Sequence, residues 1–408
     1  MKKIVIFFRG EVAMHFKYLD NFVRVIKDLK YSLHVMFHSG STPPKSMFNK
    51  LLTYEFIDLS SVPDVRARVD EICSKEAIER IFVFHDEDVY TACLCREDNN
   101  IVGLRPAAGI HFRDKNVMQQ RAKELGLKTP HCCVPHTRAT LDEFAGQHGY
   151  PIIIKPYDGY GCGNTFKVET PEQLEEIWKK IRNERHDYRV EAYIHGVQYF
   201  IDSLVQNGET VFDNLSQYTY NIIDYKESGQ HQGVITLGQG ENTEQRDILA
   251  QCRHLLNHFG MHTGVAHTEF YLTDDGEIYF GESAARCGGG PIISLINHAY
   301  GFDLVEQWVR LDLNEEAHIT QDYTTSFGAE YLSTLVTGSI TQISDSDAIR
   351  ALPSVLEAEV WAQKGDVLKE AEHCYEVLGY YICHGDDFAG VAQKFRNIRE
   401  AFQIQVGN

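Results

Sequence analysis

A segment with two aromatic and β-branched runs around Asp275-Gly276 constrains the fold most. Residues 264–291 read GVAHTEFYLTDDGEIYFGESAARCGGGP. The Asp-Gly pair suits the positive φ angles of a tight two-residue turn, so the segment predicts a β-hairpin. The facing residues that such a loop predicts are Asp274 with Glu277, Tyr271 with Phe280, and Glu269 with Glu282.

Two carboxylates, those of Glu269 and Glu282, are therefore expected on one face of the hairpin. Like charges placed directly opposite each other destabilise a sheet, so this pair calls for a cation. Oxygen-only ligands favour magnesium, calcium or manganese. Arg286 and the glycines at 288–290 follow, and they offer a fixed positive charge and open backbone to a phosphate group. An ordinary amphipathic hairpin with two solvated glutamates is the alternative.

Length and charge limit the classes of function. A chain of 408 residues is expected to form two or three domains. The net charge of −19 argues against nucleic acid or an anionic membrane as the main partner. The first apolar run is too short for a signal peptide or membrane anchor, so a cytoplasmic location is expected. The ten cysteines lack paired C-x₂-C spacing, and the group at 131–136 lacks a second ligand pair for zinc.

The first hundred residues alternate short apolar runs with helix-length stretches. Strands are predicted at 4–8, 33–37 and 81–84, with helices at 16–29 and 65–78, which is the pattern of an open parallel sheet. No G-x-G-x-x-G follows the first strand, so a dinucleotide site is not supported. The run His85-Asp86-Glu87-Asp88 fits a ligand-binding sheet edge, and it fits an acidic helix N-terminus equally well.

A glycine-rich hairpin is predicted in the second unit. Asp114 is placed to cap a helix that stops at Gly126. A strand at 151–155 ends in Lys155, and the loop YDGYGCGN leads into a second strand at 165–168. Such a loop can wrap phosphates with its free N–H groups, although a merely tight hairpin explains it as well. Thr170-Pro171 then begins another helix.

These parts together resemble the ATP-grasp carboxylate–amine ligases. The family's parts occur in order: RDK at 113–115, the strand-Lys-Pro with its glycine loop, a hinge EAYIHG at 191–196, and the H-x-E…DG…E-x-x-x-R hairpin. The resemblance is strong over 113–312 and looser in the flanks. It implies an α/β ATP-grasp fold, α+β in the lid and C-terminal parts. The implied domains are a Rossmann-like parallel-sheet domain (1–112), an ATP-grasp domain (113–325) with a lid around 130–190, and a C-terminal mixed α/β cap (326–408).

The resemblance also implies site residues. The residues implied to bind ATP are Lys115 and Lys155 for its phosphates, Gly161 and Gly163 in the closing loop, and Glu191, Ala192, Tyr193 and Ile194 in the adenine hinge. Many members carry a glutamate after the hinge glycine, where this chain has Gln198, so a ribose contact would be weakened or made by the amide. Glu269 and Glu282 are implied to bind magnesium, or manganese. Arg286 would stabilise the transferred phosphoryl group or the acyl phosphate, or grip the substrate carboxylate.

Substrate residues are implied next to the metal face. Hairpin pairing puts His267 opposite Ala284, where it would support the metal, pack or ligate directly. Gly288 and Gly289 are further candidates for substrate contact. Many members have an asparagine at the position of Ala284, so the coordination of a second metal stays open.

The stretch HTE…ESAAR is similar to the bacterial L-amino acid ligases, which form dipeptides. The activity so implied is ATP-dependent activation of an amino acid carboxylate as an acyl phosphate and its coupling to an amine, with release of ADP and phosphate. Its partners would be small-molecule amino acids. A homodimer is the expected assembly, because dimers are the commonest oligomers of soluble proteins. Alternatives are loading of an amino acid onto a carrier-protein thiol, biotin-carboxylase-like chemistry, and a regulatory nucleotide binder.

The last eighty residues show a different pattern of predicted elements from the part before them. Strands are predicted at 326–336, 355–362 and 376–384, turns at 338–340 and 365–367, and an amphipathic helix at 388–402. This part resembles the C-terminal cap of biotin-carboxylase-like ATP-grasp enzymes.

Overall fold

The computed structural model describes residues 2–10, 13–51, 53–159, 161–184, 187–224, 232–369 and 376–407. In these ranges the chain combines parallel and antiparallel sheets with helices, which confirms the α/β class. None of the helices in the described ranges combines the length and the apolar character needed to cross a membrane.

The N-terminal part is an open parallel sheet with strand order β3-β2-β1-β4. Its elements are β1 (Lys3–Phe8), α1 (Ala13–Asp28), β2 (Ser32–His38), α2 (Lys45–Phe48), β3 (Thr53–Ile57), α3 (Val62–Lys75), β4 (Ile78–Val83), α4 (Asp86–Asp98) and α5 (Pro106–Gly109). The predicted strands and helices are confirmed within three residues, because their apolar runs are buried on both faces. Strand β3 was missed, since it is an edge strand that leaves Tyr54 and Phe56 exposed.

A small antiparallel sheet follows, with order β5-β8-β6-β7. The elements of this region are α6 (Lys115–Glu124), β5 (Cys132–Cys133), α7 (Arg138–His148), β6 (Ile152–Pro156), β7 (Phe166–Val168), α8 (Pro171–Ile181) and β8 (Tyr188–Ala192). The predicted caps are confirmed: the Asp114 carboxylate accepts from two N–H groups of α6, and the Thr170 hydroxyl accepts from one in α8. We call this sheet with its glycine loop the lid sheet.

An eight-stranded sheet forms the centre, with order β13-β12-β9-β10-β11-β14-β18-β16. Its first elements are β9 (Gly196–Gln206), β10 (Glu209–Tyr218), β11 (Gly233–Gly238), α9 (Thr243–Phe259), β12 (Gly264–Thr273), β13 (Ile278–Ala284), α10 (Ile292–Tyr300) and α11 (Leu304–Asp312). Helix α11 packs against α1, and Trp308 contacts Phe82 of the N-terminal sheet, so one apolar core joins the two sheets.

The C-terminal elements add three strands to the central sheet and form a separate sheet of three strands. They are β14 (Ser326–Leu332), β15 (Gly338–Ile343), α12 (Ser346–Arg350), β16 (Val355–Val360), β17 (Val367–Leu368), β18 (Gly379–Gly385), α13 (Phe388–Ala401) and β19 (Ile404–Gly407). The three predicted strands and the helix are confirmed. The predicted turn at 338–340 is wrong, because β15 starts there and pairs with β17 and β19. The cap boundary at 326 stays a prediction, and β14, β16 and β18 share the sheet of β9 to β13.

The hairpin of β12 and β13 forms, but its predicted two-residue loop is wrong. The Thr273 N–H donates to the carbonyl oxygen of Glu277 and the Glu277 N–H donates to the Thr273 hydroxyl, which leaves three loop residues, the last of them Gly276 at φ 83°. Tyr271 therefore faces Tyr279 and not Phe280. The register then shifts between Glu269 and Phe270, and this bulge restores the predicted pairing of Glu269 with Glu282 and of His267 with Ala284.

Candidate active site

One cavity of about 290 Å³ lies between the lid sheet and one face of the central sheet. Among the described residues, every predicted site residue except Gly163 and Gly288 lines it. These lining residues are Lys115, Lys155, Gly161, Glu191, Ala192, Tyr193, Ile194, Gln198, His267, Glu269, Glu282, Arg286 and Gly289. Residues more than 170 positions apart in sequence thus share one site.

Glu282 lies on the cationic side of the cavity. The Lys115 ammonium is 3.2 Å from its carboxylate and also donates to the carbonyl oxygen of Gly159, at 2.6 Å. Burial raises the pKa of Glu282, but Lys115 and Lys155 outweigh it, so the pKa lies below its ordinary value. Lys115 thereby connects the carboxylate pair to the glycine loop.

Glu269 meets mainly neutral donors. The Gln198 amide donates to its carboxylate at 2.9 Å and the Tyr218 hydroxyl at 3.3 Å, while His267 Nε2 lies 3.6 Å away. The other end of the Gln198 amide accepts from the N–H of Ile222. Gln198 therefore uses both ends of its side chain within the protein, and its ribose contact stays a prediction.

The lysine of the glycine-loop hairpin forms a buried ion pair. Lys155 Nζ is 2.8 Å from Glu191, and the other Glu191 oxygen contacts Arg189 at 2.8 Å. Burial lowers the pKa of Lys155, yet Glu191 and Glu282 raise it above its ordinary value. Burial likewise raises the pKa of Glu191, and Lys155 with Arg189 brings it below normal. Both groups are held in their charged forms.

Arg286 is held by a residue of the N-terminal part of the chain. Its Nε and Nη2 atoms donate to Asp86 Oδ2 at 2.8 and 2.6 Å. Asp86 is the first residue of α4 and lies three residues after the end of β4, so the acidic run sits both near the sheet edge and at a helix N-terminus. Burial raises the pKa of Asp86, but Arg286 outweighs this and the pKa is lowered. The sequence located this acidic run and gave no sign of its partner.

His267 is held by Asp202, which was not predicted as a site residue. Nδ1 of His267 lies 3.0 Å from Asp202 Oδ1, and the same oxygen accepts from the N–H of Gly288 at 3.2 Å. Burial lowers the pKa of His267, but Asp202 and then Glu269 raise it to about 9. The available signal was an acidic residue in the apolar run YFIDSLV, a rare pattern for a buried strand.

The donor set suits a hard divalent cation. Among the described residues no group of three or more His, Cys, Asp or Glu side chains is arranged to hold a metal by itself. Magnesium, however, is usually held by one or two carboxylates together with substrate phosphates and water. The facing carboxylates of Glu269 and Glu282, with oxygen atoms only, fit that mode.

Two family models match the chain. Residues 148–294 match the model described as an ATP-grasp domain, and residues 330–407 match the L-amino acid ligase C-terminal domain 2. An L-arginine-specific L-amino acid ligase of Bacillus subtilis is 22% identical over 333 residues, which is 80% of each chain.

Solved structures of ATP-grasp enzymes share the whole fold. An L-amino acid ligase from Bacillus licheniformis superposes with a TM-score of 0.81 at 18% identity, covering 100% of this chain and 99% of the other. The biotin carboxylase domain of 2-oxoglutarate carboxylase from Hydrogenobacter thermophilus was solved in complex with MgADP, ADP and bicarbonate. It superposes with a TM-score of 0.70 at 16% identity and covers 99% of this chain and 90% of the other. The ATP-grasp fold predicted from the sequence is thereby confirmed.

Proposed function

We propose, from the premise that this chain belongs to the ATP-grasp carboxylate–amine ligases, that it joins two amino acids into a dipeptide. The carboxylate of one amino acid is activated as an acyl phosphate, the amine of the other attacks it, and ADP and phosphate leave. The observation that carries the proposal is the single cavity in which two facing glutamates meet two lysines and an arginine. That combination suits transfer of a charged phosphoryl group to a carboxylate.

The residues fit the nucleotide and metal that this chemistry uses. Glu269 and Glu282 would hold magnesium or manganese, and the hinge residues 192–194 would contact adenine. Bound ATP and its metal supply a transferable phosphoryl group with much of its charge neutralised. Gly161, Gly163 and Gln198 are assigned to the same nucleotide site.

The chain's own cations are preorganised for developing negative charge. Lys155 and Arg286 are each held by a carboxylate, Glu191 and Asp86 respectively, so their positions are fixed before substrate binds. Fixed charges in a site with little water stabilise charge more strongly than mobile ones. We assign Lys115 and Lys155 to the phosphates and Arg286 to the acyl phosphate oxygens.

The lid sheet keeps water from the activated carboxylate. Lys115 links Glu282 of the central sheet to the carbonyl of Gly159 in the glycine loop. Closing the site in this way protects an acyl phosphate from hydrolysis. His267, Gly288 and Gly289, with Asp202 behind them, then lie where the amino acid substrates contact the protein.

The similarity to L-amino acid ligases supports a small-molecule amino acid as the acceptor, in place of a carrier-protein thiol or biotin. We further expect a cytoplasmic homodimer as the working form. Size-exclusion chromatography with light scattering measures the assembly independently of the chemistry.

The test is product analysis with ATP, magnesium and pairs of amino acids. We expect ADP and phosphate in amounts equal to the dipeptide found by mass spectrometry, and no product without magnesium or without amino acids. Formation of AMP and pyrophosphate would overturn the phosphoryl route. Phosphate release without any amide product would overturn the ligase assignment.

A further inference from the structure

A row of uncharged side chains crosses the central sheet on the cavity face. Tyr218 on β10 pairs with Val234 on β11, which pairs with Ala329 on β14. Ile292, at the start of α10, and Tyr331, two residues beyond Ala329, also line the cavity. We call the space bounded by Tyr218, Val234, Ile292, Ala329 and Tyr331 the side-chain recess.

The recess lies beside the reacting end of the site. The Tyr218 hydroxyl that borders it donates to Glu269, at 3.3 Å. Ile292 borders it on another side, and the Ile292 side chain and the His267 ring both lie against Gly288. An amino acid whose carboxylate is bound by Arg286 would have the recess within reach of its side chain.

One wall of the recess is fixed in place. Gly290 has φ +61°, and a Cβ at this position would overlap the Tyr331 hydroxyl, so the tyrosine fills the space of a residue 290 side chain. The Tyr18 hydroxyl of helix α1 donates to the carbonyl of Gly290 at 3.0 Å. Tyr331 and the backbone of Gly290 thus form a packed boundary that the N-terminal domain supports from behind.

The charged groups of the cavity are matched to one another. The pairs are Lys115 with Glu282, Lys155 with Glu191, Arg286 with Asp86, and His267 with Asp202 and Glu269. None of the described residues that bound the recess carries a charge. A guanidinium, ammonium or carboxylate group packed against these five side chains would lose hydration without finding an opposite charge among them, which is unfavourable.

We propose that the recess binds the uncharged, apolar side chain of the amino acid whose carboxylate is activated, and that Tyr331 limits its length. This inference rests on the proposed ligase function and deepens it. The preference differs from that of the similar enzyme named for L-arginine.

The first test compares amino acids as the acyl donor. Purified protein, ATP, magnesium and a constant acceptor are combined with alanine, valine, leucine, methionine, arginine, lysine or glutamate, and ADP release and the N-terminal residue of the dipeptide are measured. We expect kcat/KM for the best apolar donor to exceed that for each charged donor by about a hundredfold. An arginine, lysine or glutamate donor that equals the best apolar donor overturns the side-chain assignment. Absence of ADP release with every pair contradicts the ligase function itself.

The second test changes the boundary. Tyr331→Ala should raise kcat/KM for phenylalanine or tryptophan relative to alanine by about tenfold, because the recess becomes longer. Tyr331→Phe keeps the ring and should keep the wild-type order of donors. An unchanged order in a folded Tyr331→Ala protein overturns the role of Tyr331. If that variant does not fold, the donor comparison on the wild-type protein still decides the side-chain class.

Discussion

The two facing glutamates of the central hairpin have different surroundings. Glu282 lies 3.2 Å from the Lys115 ammonium and is further stabilised by Lys155, so cations already offset its charge. Glu269 receives hydrogen bonds from the Gln198 amide and the Tyr218 hydroxyl. We infer from this difference that Glu282 would link a metal to Lys115 and Lys155, while Glu269 is positioned by Gln198, Tyr218 and the His267 ring and has no lysine beside it.

The largest expected effect is that of Glu282→Gln. We expect kcat/KM for ADP release to fall by at least about a hundredfold, because both a metal ligand and the partner of Lys115 are lost. Glu269→Gln is the matched variant. Its loss should be about tenfold smaller, since no lysine loses its partner and the amide oxygen still accepts from one of the two donors, Gln198 or Tyr218.

Steady-state ADP release across a magnesium titration measures both variants, with thermal unfolding as the control for folding. Equal losses, or a larger loss for Glu269→Gln, would contradict the difference assigned to the two glutamates.

An intermediate effect is expected from Gln198→Glu. The new carboxylate would lie where the amide now donates to Glu269 at 2.9 Å, so repulsion should lower activity by about tenfold at limiting magnesium. A high magnesium concentration should restore most of the lost activity. Gln198→Met removes the donor without adding charge and should respond less to magnesium. Tighter magnesium binding by Gln198→Glu would show that the added carboxylate ligates the metal instead.

The smallest effect is expected from Tyr218→Phe. Losing one hydrogen bond to Glu269 should cost about 0.5–1.5 kcal/mol, which is roughly a two- to tenfold rise in the magnesium concentration needed for half-maximal rate. Tyr199→Phe is the control, because Tyr199 lies on the adjacent strand β9 and packs into the core on the opposite face. A similar shift in both variants would point to a general loss of packing.

The hairpin shows how sequence reasoning reached a correct pairing through a wrong loop. The Asp-Gly signal located the turn, but the loop holds three residues, which moves the strand pairing by one residue from the predicted register. A bulge near Gly281 then brings the pairing back to the predicted register. A Cβ on Gly281 would lie 3.0 Å from the Tyr271 ring and 3.2 Å from the Glu269 carbonyl oxygen. Turn chemistry is local and readable, whereas a bulge depends on contacts across two strands.

Partners from distant elements could not be derived from the sequence. Arg286 was expected to meet phosphate or substrate, and the structure adds Asp86, 200 positions earlier, which fixes the guanidinium. Asp202 and His267 are 65 positions apart and meet because β9 and β12 are neighbours in the sheet. Tyr218 and Tyr331 gave no signal, because an aromatic residue in a strand usually packs in a core.

By itself the sequence determined the ordered set of chemical groups: two carboxylates on one hairpin face, lysines before a glycine loop, and an arginine four residues after the second glutamate. These follow from local spacing, since strand alternation and helix caps act over a few residues. Only the tertiary structure decided which groups neutralise one another and which apolar side chains bound the recess. The reason is physical: charge pairing and cavity shape depend on distances between elements that chain spacing does not encode.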